Sequence, residues 1–377
     1  MKRILNIIGA RPQIIKAAAL SRAVGNRFAA EVEERILHTG QHYDSNMSGV
    51  FFDELGIPAP HYQLSVGSGN HGAQTAKMIA GIEEVLLREP FDGVVVYGDT
   101  NSTLAASVAA AKLHVPVFHV EAGLRSFNMT MPEEQNRIVC DHLSNICFAP
   151  TETAMENLRG EGFMDDRTTF FGGRKRRVVN SGDVMYDNSL YYATLAASRS
   201  DIMQRLGLQH EGYVLATIHR DYNTDNPLRL TAIFRALLAI AQQVKVVLPL
   251  HPRTAKLLEQ NVDSQVCQAL KTNENVLIVP PATFFEIIEL ERQAQVVLTD
   301  SGGVQKEAFF YGRPCVILRP ETEWVEIVDH GAGLLSDADT DRIASAYNTL
   351  AGRPVDFPPL FGDGHAAERI MQEIIDY

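Results

Sequence analysis

Short apolar runs alternate with longer stretches of helical period along the first half of the chain. The runs at 4–8, 94–97 and 146–149 have the length and unbroken apolar character of strands that are buried on both faces. The stretches at 75–87 and 102–113 show the helical spacing of apolar positions. Repeated units of this kind predict a parallel sheet with helices on both faces.

The alternation lapses between 168 and 187 and then resumes. The lapse contains the basic run 174–177, which is typical of a solvated face and only weakly indicates a phosphate or partner patch. Beyond it come apolar runs at 213–217, 244–248, 276–279, 296–298 and 315–318, and helical stretches at 227–242 and 284–293. We therefore predict an α/β protein of two Rossmann-like domains, residues 1–180 and 181–362. Its ligand should lie in the cleft between them, at the carboxyl ends of the strands.

Composition and charge narrow the class of protein. A chain of 377 residues is too long for one ordinary core, and 45% hydrophobic residues exclude a disordered chain. The 34 basic residues against 46 acidic ones give a net charge of −12, which argues against a nucleic-acid partner. The four cysteines form no CxxC pair, and no stretch reaches the roughly 18 apolar residues of a membrane span. We predict a cytoplasmic globular protein without a membrane segment.

The segment 299–307 predicts an anion site. An apolar run ends there in a turn containing Ser301, Gly302 and Gly303, and a helix begins. Glycines let a phosphate approach the backbone, and the first N–H groups of a helix donate to it. Glu307, about one turn into the helix, can accept from sugar hydroxyls. The alternative is an ordinary N-cap at Ser301 or the aspartate before it, with Glu307 facing solvent.

Another strand-to-helix turn places Arg11 beside Pro12, which suits the first turn of a helix. Arg11 should point into the predicted cleft, where a guanidinium gives several charge-assisted hydrogen bonds to a diphosphate. The alternative is a surface arginine that contacts only solvent.

Three acidic residues follow apolar runs or a turn: Asp99, Glu121 and Glu133. Clustered carboxylates at a sheet edge raise one another's pKa values, which suits proton transfer. Helix caps and buried arginine pairs are the structural alternative, and metal ligation is the third. Against a metal, no histidine has ligand spacing with these acids, although His119 precedes Glu121 by two residues.

His219 follows the run at 213–217 and should also face the cleft. A histidine there can move a proton or stabilise leaving-group charge near neutral pH. The alternative is a histidine that only makes structural hydrogen bonds.

Taken in order, these motifs form a specific set with specific spacing. They read GARPQ at 9–13, GDTNST at 98–103, HVEAGLR at 119–125, PEEQNR at 132–137, FAPTE at 148–152, HR at 219–220 and TDSGGVQKEA at 299–308. Over essentially its full length the chain resembles the non-hydrolysing UDP-N-acetylglucosamine 2-epimerase family. The resemblance implies a glycosyltransferase-B-type pair of domains with a UDP-sugar in the interdomain cleft. It also implies a helix at 363–377 that returns to the first domain, and a homodimer.

The chemistry implied by the resemblance is inversion at C2 of the sugar. UDP is eliminated to leave a bound glycal, which is reprotonated on the other face before UDP adds back. The resemblance gives acid–base roles to Asp99, Glu121 and Glu133, and a role near the leaving group to His219. It gives UDP binding to Arg11, Ser301, Gly302, Gly303 and Glu307, with Glu307 on the ribose. No cofactor and no metal is implied.

The chain departs from the family's familiar patterns GTRPE and HRxEN at Ala10, Gln13 and Tyr222. Pro320 stands where the family usually has an aspartate after the arginine. Tyr222 matters most, because losing a carboxylate near His219 changes how that histidine is held.

Several details resemble the branch that acts on UDP-2,3-diacetamido-2,3-dideoxy-glucuronic acid. They are GARPQ and the segments 41–44, 182–187 and 321–324. The parent substrate UDP-N-acetylglucosamine stays open, and either product would feed a surface polysaccharide. Three other functions also stay open: a UDP-sugar-dependent glycosyltransferase, a hydrolysing epimerase, and a non-enzymatic binder. The binder is favoured if the acids are held in salt bridges.

Overall fold

The computed structural model describes residues 1–41, 56–163, 173–208, 212–250 and 252–377. The chain divides into two compact units, and each is described by itself. Unit 1 comprises Met1–Asn188 and Pro359–Tyr377, and unit 2 comprises Ser189–Pro358. The sequence analysis had placed these boundaries at 180 and 362.

The sheet of unit 1 has seven strands, and every pairing in it is parallel. The strands are β1 (Lys2–Ile8), β2 (Val32–His38), β3 (Tyr62–Gln63), β4 (Gly93–Tyr97), β5 (Val117–Val120), β6 (Ile146–Ala149) and β7 (Arg177–Asn180). Their order across the sheet is β3-β2-β1-β4-β5-β6-β7. The central strands β4, β5 and β6 are buried along their whole length, as strands covered on both faces must be.

Helices cover this sheet. They are α1 (Arg11–Ala23), a π-helical turn (Val24–Phe28), α2 (His71–Arg88), α3 (Asn101–Lys112), α4 (Pro132–Leu143), α5 (Glu152–Gly160) and α6 (Val184–Arg199), which contains the boundary with unit 2. Alanines of α3 pack with Met78 and Ile82 of α2 in one apolar cluster against the strands.

The sheet of unit 2 has six strands, and its pairings are also parallel. They are β8 (Tyr213–Thr217), β9 (Lys245–Pro249), β10 (Val276–Val279), β11 (Val296–Thr299), β12 (Cys315–Ile317) and β13 (Gly333–Leu335), ordered β10-β9-β8-β11-β12-β13. The predicted α/β class, with a parallel sheet in each half, is confirmed.

The helices of unit 2 are α7 (Ile202–Arg205), α8 (Asp221–Thr224), α9 (Pro227–Ile240), α10 (Pro252–Asn261), α11 (Ser264–Thr272), α12 (Phe284–Gln293), α13 (Gly302–Phe310), α14 (Val325–Asp329) and α15 (Thr340–Ala351). A further helix, α16 (Ala366–Asp376), belongs to unit 1. Its packing against α1 buries Ile370, Met371 and Ile374. In the part of the chain that the structure describes, no helix combines the length and hydropathy needed to span a membrane.

Candidate active site

The strand order puts a topological switch point in each sheet. In unit 1 the strands β2 and β3 lie on one side of β1, and the strands from β4 onward lie on its other side. In unit 2 the same reversal separates β8 from β11. Open α/β sheets bind ligands at the carboxyl ends of the strands at this point. The turns and helix starts that follow these four strands carry Arg11, Asp99, His219 and the segment 300–303.

Glu121 follows β5 directly and forms an ion pair with Lys16 of α1. Only 9% of the Glu121 side chain and 12% of the Lys16 side chain are exposed. The backbone of Glu121 has a φ of 69°, in the left-handed region that costs a non-glycine residue about 1–2 kcal/mol. Gly98 lies close by, since a Cβ there would be 3.2 Å from Lys16 Nζ and 3.3 Å from Glu121 Oε2. The fold therefore holds Glu121 in a strained conformation against one cation.

Asp99 follows β4 and is held by Arg137 of α4, with 2.6 Å between its Oδ2 and the Arg137 Nη2. The same guanidinium lies 2.8 Å from Oε2 of Glu134, which is buried. Burial opposes ionisation of Glu134, yet the Ser126 N–H and the Arg137 guanidinium hold its pKa below the ordinary value. Arg137 is thus a fixed bridge that orients Asp99.

Glu133 differs from the other two predicted acids. It is the second residue of α4 and is exposed. Among the described residues its carboxylate forms no ion pair. Its position in the first turn of a helix also suits the helix dipole, which is the structural alternative for this residue.

A buried chain of charged groups lies behind Asp99 and Glu121. Nε2 of His119 is 2.8 Å from the carbonyl oxygen of Gly98, and Nδ1 is 2.7 Å from Oδ1 of Asp141. The other Asp141 oxygen lies 2.8 Å from Nη1 of Arg125. Burial opposes ionisation of Asp141, but His119 and Arg125 hold its pKa below the ordinary value. The Gly98 carbonyl and the Asp141 carboxylate are both acceptors, so the His119 ring links the loop after β4 to the buried Asp141.

Gln13 fixes the turn between β1 and α1. Its Oε1 accepts from the backbone N–H groups of Gly9, at 2.9 Å, and Ala10, at 3.1 Å. Its Nε2 donates to the carbonyl oxygen of Tyr97 and to Oγ1 of Thr103, both at 2.9 Å. The side chain is buried, and both ends of its amide form hydrogen bonds. Gln13 therefore links the end of β1 to the end of β4.

In unit 2 the loop after β8 is tied to the loop after β11 through Asp300. This fully buried carboxylate accepts from the backbone N–H groups of His219 and Arg220 and from Nδ2 of Asn223. Nδ1 of His219 lies 3.4 Å from Oδ1 of Asp300, and 49% of the histidine side chain is exposed. Asp300 therefore supplies the carboxylate beside His219.

Tyr222 is 60% exposed, and its ring centroid lies 4.0 Å from the Arg229 guanidinium carbon. Arg229 in turn pairs with Asp337 and donates to Oδ1 of Asn223 at 3.0 Å. The tyrosine thus packs on a cation of the neighbouring helix, and the contact with His219 expected of a carboxylate in this loop is made by Asp300.

The N-terminus of α13 has the form of an anion site. Ser301 is the N-cap and accepts from the N–H of Val304. A Cβ on Gly302 would lie 2.4 Å from Oε1 of Glu323, whereas a Cβ on Gly303 would find its nearest neighbour 3.8 Å away. A methyl group on Gly302 would therefore displace the Glu323 carboxylate, whereas Gly303 leaves the backbone open to a ligand.

The loop 319–324, which contains Pro320, packs against this helix start. Nη1 of Arg319 lies 2.9 Å from Oε2 of Glu323. Nζ of the buried Lys306 lies 4.1 Å from the centroid of the Trp324 ring. These contacts fix the loop; nothing in them explains the proline itself.

Glu307, the predicted ribose ligand, is half-buried on α13. It neighbours Glu291 of α12, whose two carboxylate oxygens are buried without a hydrogen-bond partner among the described residues. Burial, with the Glu307 charge added, raises the pKa of Glu291 well above the ordinary value.

Sequence reasoning missed the partners that hold these groups. The sequence pattern did not assign Lys16, Arg137 or Asp141. Asp300 was considered only as an N-cap, and His119 only as a metal ligand. The exposed Arg11 lies where expected, as the first residue of α1. The segment at 42–44, which entered the resemblance, lies outside the described residues.

Comparison with known proteins gives full-length matches. The family described as UDP-N-acetylglucosamine 2-epimerase matches residues 26–375. The chain is 48% identical, over 98% of both chains, to the UDP-2,3-diacetamido-2,3-dideoxy-D-glucuronate 2-epimerase of Pseudomonas aeruginosa. It is 44% identical, again over 98% of both, to a UDP-N-acetylglucosamine 2-epimerase homolog of Methanococcus maripaludis. The structure of the Methanocaldococcus jannaschii UDP-GlcNAc 2-epimerase in complex with UDP-GlcNAc and UDP covers all of both chains at 37% identity and a TM-score of 0.83.

Proposed function

Since the chain belongs to the UDP-N-acetylglucosamine 2-epimerase family, we propose that it reversibly inverts C2 of a UDP-2-acetamido sugar. The proposed substrate is the nucleotide of 2,3-diacetamido-2,3-dideoxy-D-glucuronic acid. The observation that carries the activity is the pair of carboxylates on neighbouring strands, Asp99 after β4 and Glu121 after β5, each held by one cation. The identity of 48% to the relative that acts on the uronate supports the substrate.

The proposed reaction has two halves. A base removes the C2 proton, and the electron pair of the C2–H bond forms the C1=C2 double bond. The C1–O bond to UDP breaks, and its electron pair leaves with the diphosphate. The resulting glycal is reprotonated at C2 from the opposite face, and UDP adds back at C1. The enzyme must therefore supply a base on one face, an acid on the other, and donors that stabilise the charge of the departing diphosphate.

Unit 1 supplies the groups for proton transfer. Asp99 and Glu121 carry the acid and base roles, with Arg137 and Lys16 as their positioning partners. Glu133 is the third candidate, and its exposed carboxylate has the freedom to reach substrate that the other two lack. His119 positions the peptide that carries Asp99, since its ring binds the carbonyl oxygen of Gly98.

Unit 2 supplies the groups for the nucleotide. The N–H groups of Gly302 and Gly303 receive a phosphate at the start of α13, with Ser301 as cap, and Glu307 accepts from the ribose hydroxyls. The resemblance to the family also assigns Arg11 to the diphosphate. His219, held through Asp300, assists the leaving group.

A non-enzymatic UDP-sugar binder is favoured if the predicted acids are held in salt bridges. Asp99 and Glu121 are both held in this way. Two observations favour the enzyme all the same. Glu133 stands outside any ion pair among the described residues, and the relatives that match over the full chain are named as epimerases. A cation beside each acid also fixes its direction, which a catalytic base needs.

The substrate can be tested by comparing kcat/KM for the diacetamido-uronate nucleotide and for UDP-N-acetylglucosamine, with products separated by chromatography. A preference of at least tenfold for the uronate supports the proposal. Equal use of both sugars, or a preference for UDP-N-acetylglucosamine, contradicts the substrate but leaves the epimerase intact. Release of free sugar and UDP in place of a nucleotide sugar would indicate the hydrolysing reaction.

We also propose a cytoplasmic homodimer whose product serves surface polysaccharide synthesis. Light scattering on the purified chain tests the dimer, since twice the 41.7 kDa chain mass is expected. A monomer at working concentration contradicts it.

A further inference from the structure

His71, which has no role in the proposed function, lies beside the loop that carries Asp99. It is the first residue of α2 and is exposed. Nδ1 of its ring lies 3.1 Å from Nδ2 of Asn101, the first residue of α3. Since α3 begins just after Asp99, at the carboxyl end of β4, the imidazole lies at the same edge of the sheet as the candidate acids.

Three buried amide side chains connect the imidazole to the Asp99 peptide: Gln74, Asn101 and Asn136. Nδ2 of Asn136 donates to the carbonyl oxygen of Asp99 at 2.8 Å and to Oδ1 of Asn101 at 3.4 Å. Nδ2 of Asn101 donates to Oε1 of Gln74 at 2.9 Å. Nε2 of Gln74 donates in turn to the carbonyl oxygen of Gly67 at 2.8 Å. The chain of amides therefore ends on a backbone carbonyl oxygen at each side.

These amides fix the tautomer of His71. A carbonyl oxygen only accepts, so the atoms that face the two backbone carbonyls are the amide nitrogens of Asn136 and Gln74. Oε1 of Gln74 therefore faces Asn101, and the Asn101 nitrogen is the atom that faces both Gln74 and His71. Because an amide nitrogen donates, Nδ1 of His71 accepts, and the proton of the neutral ring is on Nε2.

The Nε2–H group of His71 is a donor that the fold does not use. Among the described residues, the ring forms its hydrogen bond through Nδ1. The nearby cations are by contrast engaged by acids of the chain, since Lys16 pairs with Glu121 and Arg137 pairs with Asp99. His71 can therefore donate to a substrate without giving up a bond to an acid of the fold.

The surroundings of this donor favour an anionic acceptor. The first turn of α2, an 18-residue helix, contains no acidic side chain, so the helix dipole adds partial positive charge beside His71. A neutral N–H group also forms a stronger hydrogen bond to a carboxylate than to a hydroxyl group. The proposed uronate has a carboxylate at C6, where UDP-N-acetylglucosamine has a hydroxyl group.

We propose that His71 is a specificity-determining residue whose Nε2–H group donates to the C6 carboxylate of the sugar. The inference rests on the proposed function, which gives the uronate nucleotide as substrate. C6 takes no part in the reaction at C1 and C2, so the contact should hold the sugar equally in the ground state and the transition state. Its loss should therefore raise KM and leave kcat almost unchanged.

The test uses two substitutions that separate the roles of the two ring nitrogens. His71→Asn keeps an acceptor at the δ position for Asn101 but has no atom at the ε position. His71→Gln keeps a donor at the ε position and loses the δ acceptor. The matched control is His114→Asn, because His114 is exposed, lies before β5 at the opposite edge of the sheet, and has a φ of 59° that asparagine adopts readily. Calorimetry gives Kd for the uronate nucleotide and for UDP, and chromatography of the products gives kcat and KM.

We expect His71→Asn to raise both Kd and KM for the uronate nucleotide by about tenfold or more, with kcat almost unchanged. His71→Gln and the control should stay close to wild type, and UDP, which lacks the sugar, should bind equally to all of them. A fall in kcat at constant KM would show that the ring acts through Asn101 on the Asp99 peptide, and would overturn the proposal. Unchanged Kd in His71→Asn, or equal losses in both His71 variants, would overturn it too. Since Kd does not require turnover, this comparison decides the role of His71 even if the chain exchanges no C2 proton, a result that would contradict the proposed function alone.

Discussion

Nδ1 of His119 lies 2.7 Å from Oδ1 of Asp141, and neither side chain is exposed to solvent. The far nitrogen of the same ring binds the carbonyl oxygen of Gly98, the residue before Asp99. The His119 ring and the Asp141 carboxylate, which forms a buried ion pair with Arg125, therefore support the peptide that carries a candidate base. Removing one member of such a pair leaves the other charge buried without compensation, which typically costs about 3–5 kcal/mol.

Asp141→Asn should lower the free energy of unfolding by about 3–5 kcal/mol at pH 7. The pKa of Asp141 is depressed in the folded chain, so its contribution is present above the unfolded value of about 3.9 and is lost as pH falls below it. The difference between wild type and variant in urea unfolding should therefore shrink below about pH 4. Asp201→Asn, at an aspartate whose side chain is 69% exposed, is the control and should change little. A pH-independent difference contradicts the account.

Gln13→Glu should destabilise the chain by about 1–3 kcal/mol. A carboxylate cannot donate to the Tyr97 carbonyl or to Thr103, so two buried contacts lose their donor. Thermal unfolding measures the effect, with the exposed Gln242→Glu as control. A variant as stable as wild type would show that the amide donors are dispensable.

Two neighbouring glycines should respond differently to alanine. Gly302→Ala displaces the flexible end of Glu323 from its ion pair with Arg319, so it should cost less than about 1 kcal/mol of stability and also weaken UDP binding. Gly303→Ala has room for the methyl group and should keep its stability, yet lose about tenfold in UDP affinity because the Cβ obstructs the phosphate. Calorimetry with UDP and thermal unfolding separate the two. If Gly303→Ala binds UDP as wild type does, the phosphate lies elsewhere.

Asp187 makes the stability of unit 1 depend on pH near neutrality. Its carboxylate accepts from the N–H groups of Ala366 and Ala367 at the start of α16. Burial raises its pKa to about 6 despite these hydrogen bonds. A raised pKa means that the folded chain binds the proton more tightly, so stability from this group is full below about pH 4 and is lost as pH rises through 6.

The loss from Asp187 should amount to about 2–3 kcal/mol between pH 4 and pH 7. Asp187→Asn should flatten that part of the stability profile, measured by urea unfolding at several pH values. A variant with the same slope as wild type would assign the pH dependence to another group.

The fold was predictable where a strand is wholly apolar. The bounds of β6, β8 and β10 match the predicted runs at 146–149, 213–217 and 276–279. The apolar pattern did not reveal β2, because Glu33, Glu34 and Arg35 interrupt it. Arg3 of the neighbouring strand neutralises Glu33 at 3.0 Å, a contact that only the paired strands create. The strand β7 was missed for the same reason, since it begins inside the basic run.

The residue types of the candidate site could be predicted from their positions after strand ends. The residues that pair with them could not. Lys16 and Glu121 lie 105 positions apart, and Asp300 reaches the loop of His219 across 81 positions. Such pairings depend on strand order, which local patterns do not encode. Tyr222 suggested a missing carboxylate, whereas the fold supplies one from another strand.

The central claim is inversion at C2, and proton exchange at that carbon tests it most directly. The purified chain is incubated in deuterated water with the diacetamido-uronate nucleotide, and separately with UDP-N-acetylglucosamine, while the C2 proton is followed by NMR. The account predicts deuterium at C2 and the appearance of the manno-configured nucleotide sugar with at least one of them. An intact C2 proton with both nucleotides, in protein that binds UDP, would contradict it.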